Sequence, residues 1–233
     1  MLHSIKKLLR NQLGALDDKV GYVADGYFDE INWTLRYLVV DTDWWSPPCR
    51  VLLSPHAFGD VPAHGDILPV NLTRQQIEDS PILELNEYVT RVHEEDYYRH
   101  YNWPFYWQGG SLWGPSEFPN GKPASDPSCR KQENIRKTIK ADSHLQSARA
   151  AFGFPVQAGA DPVGQLADFL VEDKRWQIRY LVVAVNHHWF LPRTILLSTH
   201  KVLSVDWAGG RVGIGPDKAE IELALSRYEL VAH

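Results

Sequence analysis

Trp33-Thr34-Leu35-Arg36-Tyr37-Leu38-Val39-Val40 returns 143 residues later as Trp176-Gln177-Ile178-Arg179-Tyr180-Leu181-Val182-Val183. At that offset residues 13–40 match residues 156–183 at Ala15, Asp18, Val20, Gly21, Ala24, Asp25, Trp33, Arg36, Tyr37, Leu38, Val39 and Val40, twelve identities in 28 positions. One inserted residue moves the offset to 144, where Pro48, Leu52-Leu53-Ser54, His56, Gly65 and Ile77 meet Pro192, Leu196-Leu197-Ser198, His200, Gly209 and Ile221. A repeat of this length is a duplicated domain and not a solenoid unit.

The repeated octet is rich in β-branched and aromatic residues, and it follows a mixed segment, residues 20–28, across the polar cluster Asp29-Glu30-Ile31-Asn32. That order reads as a strand, a turn and a second strand. Few polar residues interrupt the second strand in either copy, so both of its faces are covered or it curls into a small barrel. Gly21 and Gly164 stand where a strand must bend or begin, which is a backbone role. A short strand follows at residues 50–54, and Pro55, without an N–H, stops the ladder. Thr73-Arg74-Gln75-Gln76 and Asp217-Lys218-Ala219-Glu220 both carry the capping-box pattern, which places a short helix at the close of each repeat.

The Gly-bearing first strand, the aromatic turn, the RYLVV strand and the LLS(P/T)xH segment together resemble the PRC-barrel family. The strings LPVNLTRQQIEDSP (68–81) and YYRHYNWPFYW (97–107) resemble the bacterial tandem members of that family. The likeness covers roughly residues 1–107 and 153–225. It implies a mainly β fold of two small antiparallel barrels, each closed by a short helix and used for docking rather than catalysis. The domains are then residues 1–82 and 152–233, joined by a spacer at 83–151. The membrane helix of the reaction-centre member and the extra domain of the ribosome-maturation member have no counterpart in this sequence, so neither function transfers. Function resides in sites and not in the fold.

The spacer is the least generic part. Seven aromatics, Tyr97, Tyr98, Tyr101, Trp103, Phe105, Tyr106 and Trp107, occupy eleven positions, and a Gly/Pro-rich stretch at 108–127 follows that reads as extended linker. Residues 128–151 are charged and helix-forming, with a basic patch at Arg130, Lys131, Arg136, Lys137 and Lys140. The aromatic cluster either covers a sheet edge, the preferred reading, or forms a partner-binding patch. A stacking platform for single-stranded nucleic acid needs interleaved cations, and only Arg99 and His100 lie within the cluster. The net charge of -5 gives no general attraction to nucleic acid or to anionic membrane.

Catalytic, cofactor and metal signatures are not found. Cys49 and Cys129 stand alone, and the chain has neither GxSxG nor a P-loop. His187-His188 lack neighbouring ligands at metal spacing, and His93 beside Glu94-Glu95-Asp96 reads as a solvated helix face. His56 and His200 read as a shared structural pair. Arg36 and Arg179 should lay their stems along the sheet with the charged head in water, and Asp25 and Asp168 should pair with them across the hairpin. Residues 1–16 lack a signal-peptide pattern, and the longest apolar run is too short to span a bilayer. The expectation is a cytoplasmic, non-enzymatic docking protein that binds a protein partner or a second copy of itself, without membrane insertion. The alternative is a small-ligand site between the barrels, lined by Trp44, Trp45, Trp189 or the 97–107 cluster.

Overall fold

The computed structural model describes residues 1–42, 49–62, 65–83, 89–121, 145–185 and 193–215. Within these, the strands are β1 (Leu2–Ser4), β2 (Gln12–Gly14), β3 (Lys19–Asp29), β4 (Thr34–Thr42), β5 (Cys49–Leu53), β6 (Ile67–Pro69) and β7 (Ile82–Leu83) in the first half. The second half supplies β8 (Leu145–Ser147), β9 (Pro155–Ala158), β10 (Asp161–Glu172), β11 (Gln177–Val185), β12 (Arg193–Ser198), β13 (Val202–Asp206) and β14 (Arg211–Ile214). Four short helices accompany them: α1 (Ile5–Leu8), α2 (Arg74–Glu78), α3 (Arg91–His100) and α4 (Ala148–Ala151). The protein is mainly β, and its described strands form one mixed sheet that is not closed into a barrel. No described helix is long and apolar enough to cross a membrane.

The expected hairpins are present, β3 with β4 and β10 with β11, each antiparallel. Burial along β4 is nearly continuous, as the scarcity of polar residues in that strand predicts. β5 and β12 follow in matching register, and β2 and β9 add parallel partners in β6 and β14. The helix expected after Thr73 is α2, with both halves of its capping box formed between Thr73 and Gln76. Its counterpart at 217–220 lies outside the described residues.

Trp33 and Trp176 close the two hairpin turns with φ of 52° and 57°, a left-handed conformation that bulky residues seldom adopt. They are held there by each other's half. The Leu35 N–H donates to the Trp176 carbonyl (2.8 Å) and the Ile178 N–H donates to the Trp33 carbonyl (2.6 Å). This reciprocal exchange is where β4 meets β11. Phe58 of the first half packs on Trp176 of the second, while Trp33 packs against Phe169.

A second exchange interlocks the halves. β1 pairs not with its own repeat but with β10, and β8 pairs with β3. α1 packs on β10 and α4 on β3. The anchors are equivalent: Ser4 Oγ donates to Asp168, and Ser147 Oγ donates to Asp25 (2.5 Å). The Lys6 and Arg149 backbone N–H groups donate to the same two carboxylates, at 2.9 and 3.0 Å. Asp25 and Asp168 therefore do not pair with Arg36 and Arg179, contrary to the sequence expectation. The reason is a bulge in each hairpin, between Val23 and Asp25 and between Leu166 and Asp168, which inserts an extra residue and re-aims the carboxylate. Desolvation by burial raises the pKa of both, against the pull of their hydrogen bonds.

The backbone role read for Gly21 and Gly164 is met by close approach. A Cβ on Gly21 would fall 2.5 Å from the Asp41 carbonyl oxygen, and one on Gly164 would overlap the Ala184 carbonyl. Gly21→Ala should therefore force the β3–β4 ladder apart and lower stability by about 1–3 kcal/mol, the usual cost of overpacking. Urea denaturation checks this, and a midpoint equal to wild type would refute it.

Candidate functional site

The site is built on the face of β4 and the turn after β5. α3 lies over it, opened by a reciprocal cap in which Thr90 Oγ1 accepts from the His93 N–H (3.4 Å) and His93 Nδ1 accepts from the Thr90 N–H (3.4 Å). His93 thus serves the helix start. At i, i+3 and i+4 spacing, Glu94, Tyr97 and Tyr98 share the inner face of α3 and are fully buried.

Each of the three meets β4 or the turn after β5. Tyr37 and Tyr106 donate to Glu94 Oε1 at 2.9 and 2.6 Å, and Arg91 pairs with Glu94 Oε2 at 2.8 Å. The Ser54 N–H donates to the Tyr97 hydroxyl (2.8 Å), and the Ser54 and Tyr98 hydroxyls lie 3.5 Å apart. Burial raises the Glu94 carboxyl above its ordinary range, because Arg91 and the two tyrosines only partly offset the loss of water. Burial pushes Tyr37, Tyr97 and Tyr106 well above the ordinary phenol value for the same reason.

Arg36 is 1% exposed, so its head is not in water as the sequence reading expects. Its guanidinium sits 4.0 Å from the Tyr106 ring centre and 4.8 Å from that of Trp113. It donates to Asp29 (3.1 Å) and to the Leu112 carbonyl (2.8 Å). Burial alone would raise the Asp29 carboxyl, but Arg36, Asn32 and the Ile31 N–H outweigh it and hold the group below its ordinary value. Arg179, at the same place in the second repeat, is exposed and, among the described residues, bonds to Gln177, as expected of a solvated arginine.

His56 and His200 also diverge, so they are not a shared structural pair. His56 is buried, stacked on Trp103 (5.2 Å, 26°) and edge-on to Trp113 and Tyr98, while His200 is exposed. Burial drives the His56 pKa down to about 4, with a hydrogen bond to the Pro119 backbone opposing and Arg36 adding to the shift.

The aromatic cluster divides. Tyr97, Tyr98 and Tyr106 are core, while Tyr101, Trp103, Phe105 and Trp107 are half-buried and stack in pairs, Tyr101 on Trp103 (4.5 Å) and Phe105 on Trp107 (4.8 Å). Residues 108–121 are packed and not an extended linker. Ser111 bridges Gly114, and Trp113, with no exposure, donates its ring N–H to the Arg175 carbonyl (2.8 Å) of the second repeat. One buried tryptophan supplies enough apolar area to fix a segment that its Gly and Pro content alone would leave loose. Trp44, Trp45, Trp189, His187, His188 and residues 122–144 lie outside the described residues.

A cleft of about 720 Å³ opens at the seam between the repeats, bordered by Phe58, Asp60, Asn71, Phe118, Lys174 and Trp176. Of the residues expected to line an inter-repeat ligand site, none of the 97–107 cluster borders this cleft, and Trp44, Trp45 and Trp189 lie outside the described residues. Arg36, His56 and Glu94, which the sequence reading took for a solvated arginine, a structural histidine and a solvated helix face, organise the aromatic site together with Trp113, which it did not single out. The signal for Glu94 was the Glu-x-x-Tyr-Tyr spacing on a capped helix. The arrangement clamps a helix and its aromatics onto a sheet, and Glu94, with no exposed surface, offers a substrate no approach. No protein-family model matches the chain, and no curated protein matches it.

Proposed function

We propose that the chain is a non-enzymatic docking protein made of two PRC-type β units that hold helical and aromatic elements on their sheet faces. The observation that carries this reading is the grip of the first repeat on α3, through Tyr37, Ser54 and the Arg36–His56 neighbourhood. Support for the PRC-type reading comes from the shared plan of each repeat: a hairpin, a third antiparallel strand and a parallel partner for the opening strand. The half-buried Tyr101, Trp103, Phe105 and Trp107 form its partner-facing side, since exposed aromatic faces beside a fixed scaffold are the usual interface anchors.

The test is a crosslinking pull-down with wild type and a Phe105→Ala/Trp107→Ala variant first shown to melt normally. Loss of a specific protein partner from the variant is the expected result. Equal recovery by both proteins, or no partner with either, removes the assignment. A small-ligand role at the seam cleft is the second reading, carried by its Phe58–Trp176 wall and the Lys174 and Asp60 side chains. It predicts that a metabolite raises the melting temperature and that Phe118→Ala abolishes the shift.

A further inference from the structure

The first repeat shows what its sheet face holds, and the second repeat carries the same face. Arg36, Tyr37, Ser54 and His56 correspond to Arg179, Tyr180, Ser198 and His200. The correspondence is spatial as well as sequential. β12 pairs with β11 so that Ser198 stands opposite Tyr180, and the β4–β5 register, Leu38 opposite Leu53, brings Tyr37 to Ser54 in the same way. A 3-10 turn follows the third strand in both repeats and carries the histidine.

Among the described residues, occupancy is what differs. In the first repeat these four side chains are buried under α3 and the aromatic segment. In the second, Arg179 and His200 are exposed and Tyr180 and Ser198 are half-buried. No described helix of the chain packs on them, since α1 and α4 lie against β10 and β3 and α3 is engaged with the first repeat.

We infer that the Arg179–Tyr180–Ser198–His200 face is a docking site for an amphipathic helix of a partner protein. That helix presents a carboxylate and, three and four residues further on, tyrosine rings. This rests on the docking reading above and names the partner's chemistry. The template is α3 itself. Its Glu94 accepts the Tyr37 hydroxyl and lies in the field of Arg36, and its Tyr97 and Tyr98 reach the Ser54 backbone and hydroxyl. On the second repeat, Tyr180 and Arg179 supply the donor and the cation for the incoming carboxylate, and Ser198 supplies the partner for the tyrosine hydroxyls. Charge complementarity therefore selects an acidic helix. The flat His200 ring, matching the His56 that stacks on Trp103, selects an aromatic neighbour. Arg36 is in addition enclosed by Tyr106 and Trp113, rings that the partner must supply on the second repeat.

The probe is a fluorescein-labelled synthetic peptide of residues 89–107, titrated into the intact protein and read by anisotropy, with hydrogen exchange to locate the contact. The expected result is saturable binding with new protection at residues 178–181 and 196–201. Affinity should fall at least about tenfold on Arg179→Ala or His200→Ala in the protein, and similarly on Glu94→Gln in the peptide. Both protein variants are at exposed positions and must melt as wild type does. Absence of saturable binding up to about 1 mM overturns the proposal. So does protection confined to residues 36–38 and 52–56, which would mean that the peptide merely displaces α3. Self-association that Arg179→Ala abolishes, without peptide binding, would place a second copy on this face and overturn it as well. The variants in this titration leave Phe105 and Trp107 in place, so the pull-down above can succeed or fail independently.

Discussion

Replacing Arg36 with alanine is expected to destabilise the protein by about 3–5 kcal/mol, the range found when one partner of a buried ion pair is removed. The physical cost has two parts. Asp29 is 3% exposed and would keep its hydrogen bonds from the Ile31 and Asn32 backbones and the Asn32 amide, but would lose its countercharge. The slot between the Tyr106 and Trp113 rings would stand empty, which forfeits dispersion contacts as well. The pair is also pH-dependent. The Asp29 carboxyl is held below its ordinary value, so its contribution is present above the unfolded-state pKa near 3.8 and is lost as pH falls through the folded value. The alanine variant should therefore lose less additional stability below about pH 4 than wild type does. Arg179→Ala is the internal control, because the same residue in the same strand context is exposed there and should shift stability by no more than about 0.5 kcal/mol. Urea denaturation of both variants checks the pair. Similar effects at the two positions would show that the aromatic enclosure contributes nothing.

Acidification should weaken the fold through His56. The unfolded chain takes up a proton near pH 6.5, whereas the native ring resists protonation until about pH 4. Between those values the unfolded state binds more protons, so stability falls as pH drops, by up to about 3 kcal/mol at full extent. Asp25, Asp168 and Glu94, with raised folded pKa values, act in the opposite direction because the native state takes their protons first. The informative quantity is therefore the difference between wild type and His56→Phe, which keeps a ring against Trp103 and removes the titration. That difference should change steadily from pH 6.5 to pH 4 and be flat above pH 7.5 and below pH 4. A difference that is flat throughout would mean that the buried ring titrates as it does in water.

Local chemistry was legible in the sequence. The two hairpins, the strands after them and the α2 cap follow from β-branched runs, turn residues and a Thr-x-x-Gln box, each decided by neighbours a few positions apart. Gly21 and Gly164 were legible for the same reason as backbone positions, whereas the carbonyl approach that excludes a Cβ there came from the packed strands. The exchange of β1 and β8 was readable only faintly, through Leu2 and Ser4 matching Leu145 and Ser147 at the same 143-residue offset amid many mismatches.

Three outcomes were decided by tertiary structure. The bulges aimed Asp25 and Asp168 at a serine in the exchanged segment and away from the arginine across the hairpin. Trp113 drew a Gly- and Pro-rich stretch into the core. Identical residues took opposite roles in the two repeats, with Arg36 and His56 buried and Arg179 and His200 exposed. The duplication and its strands could be read from residue order alone, because backbone preference and turn chemistry act over a few residues. Burial, and with it charge state and pairing, belonged to the tertiary structure, because it depends on what packs over a face, and α3 packs over only one of the two.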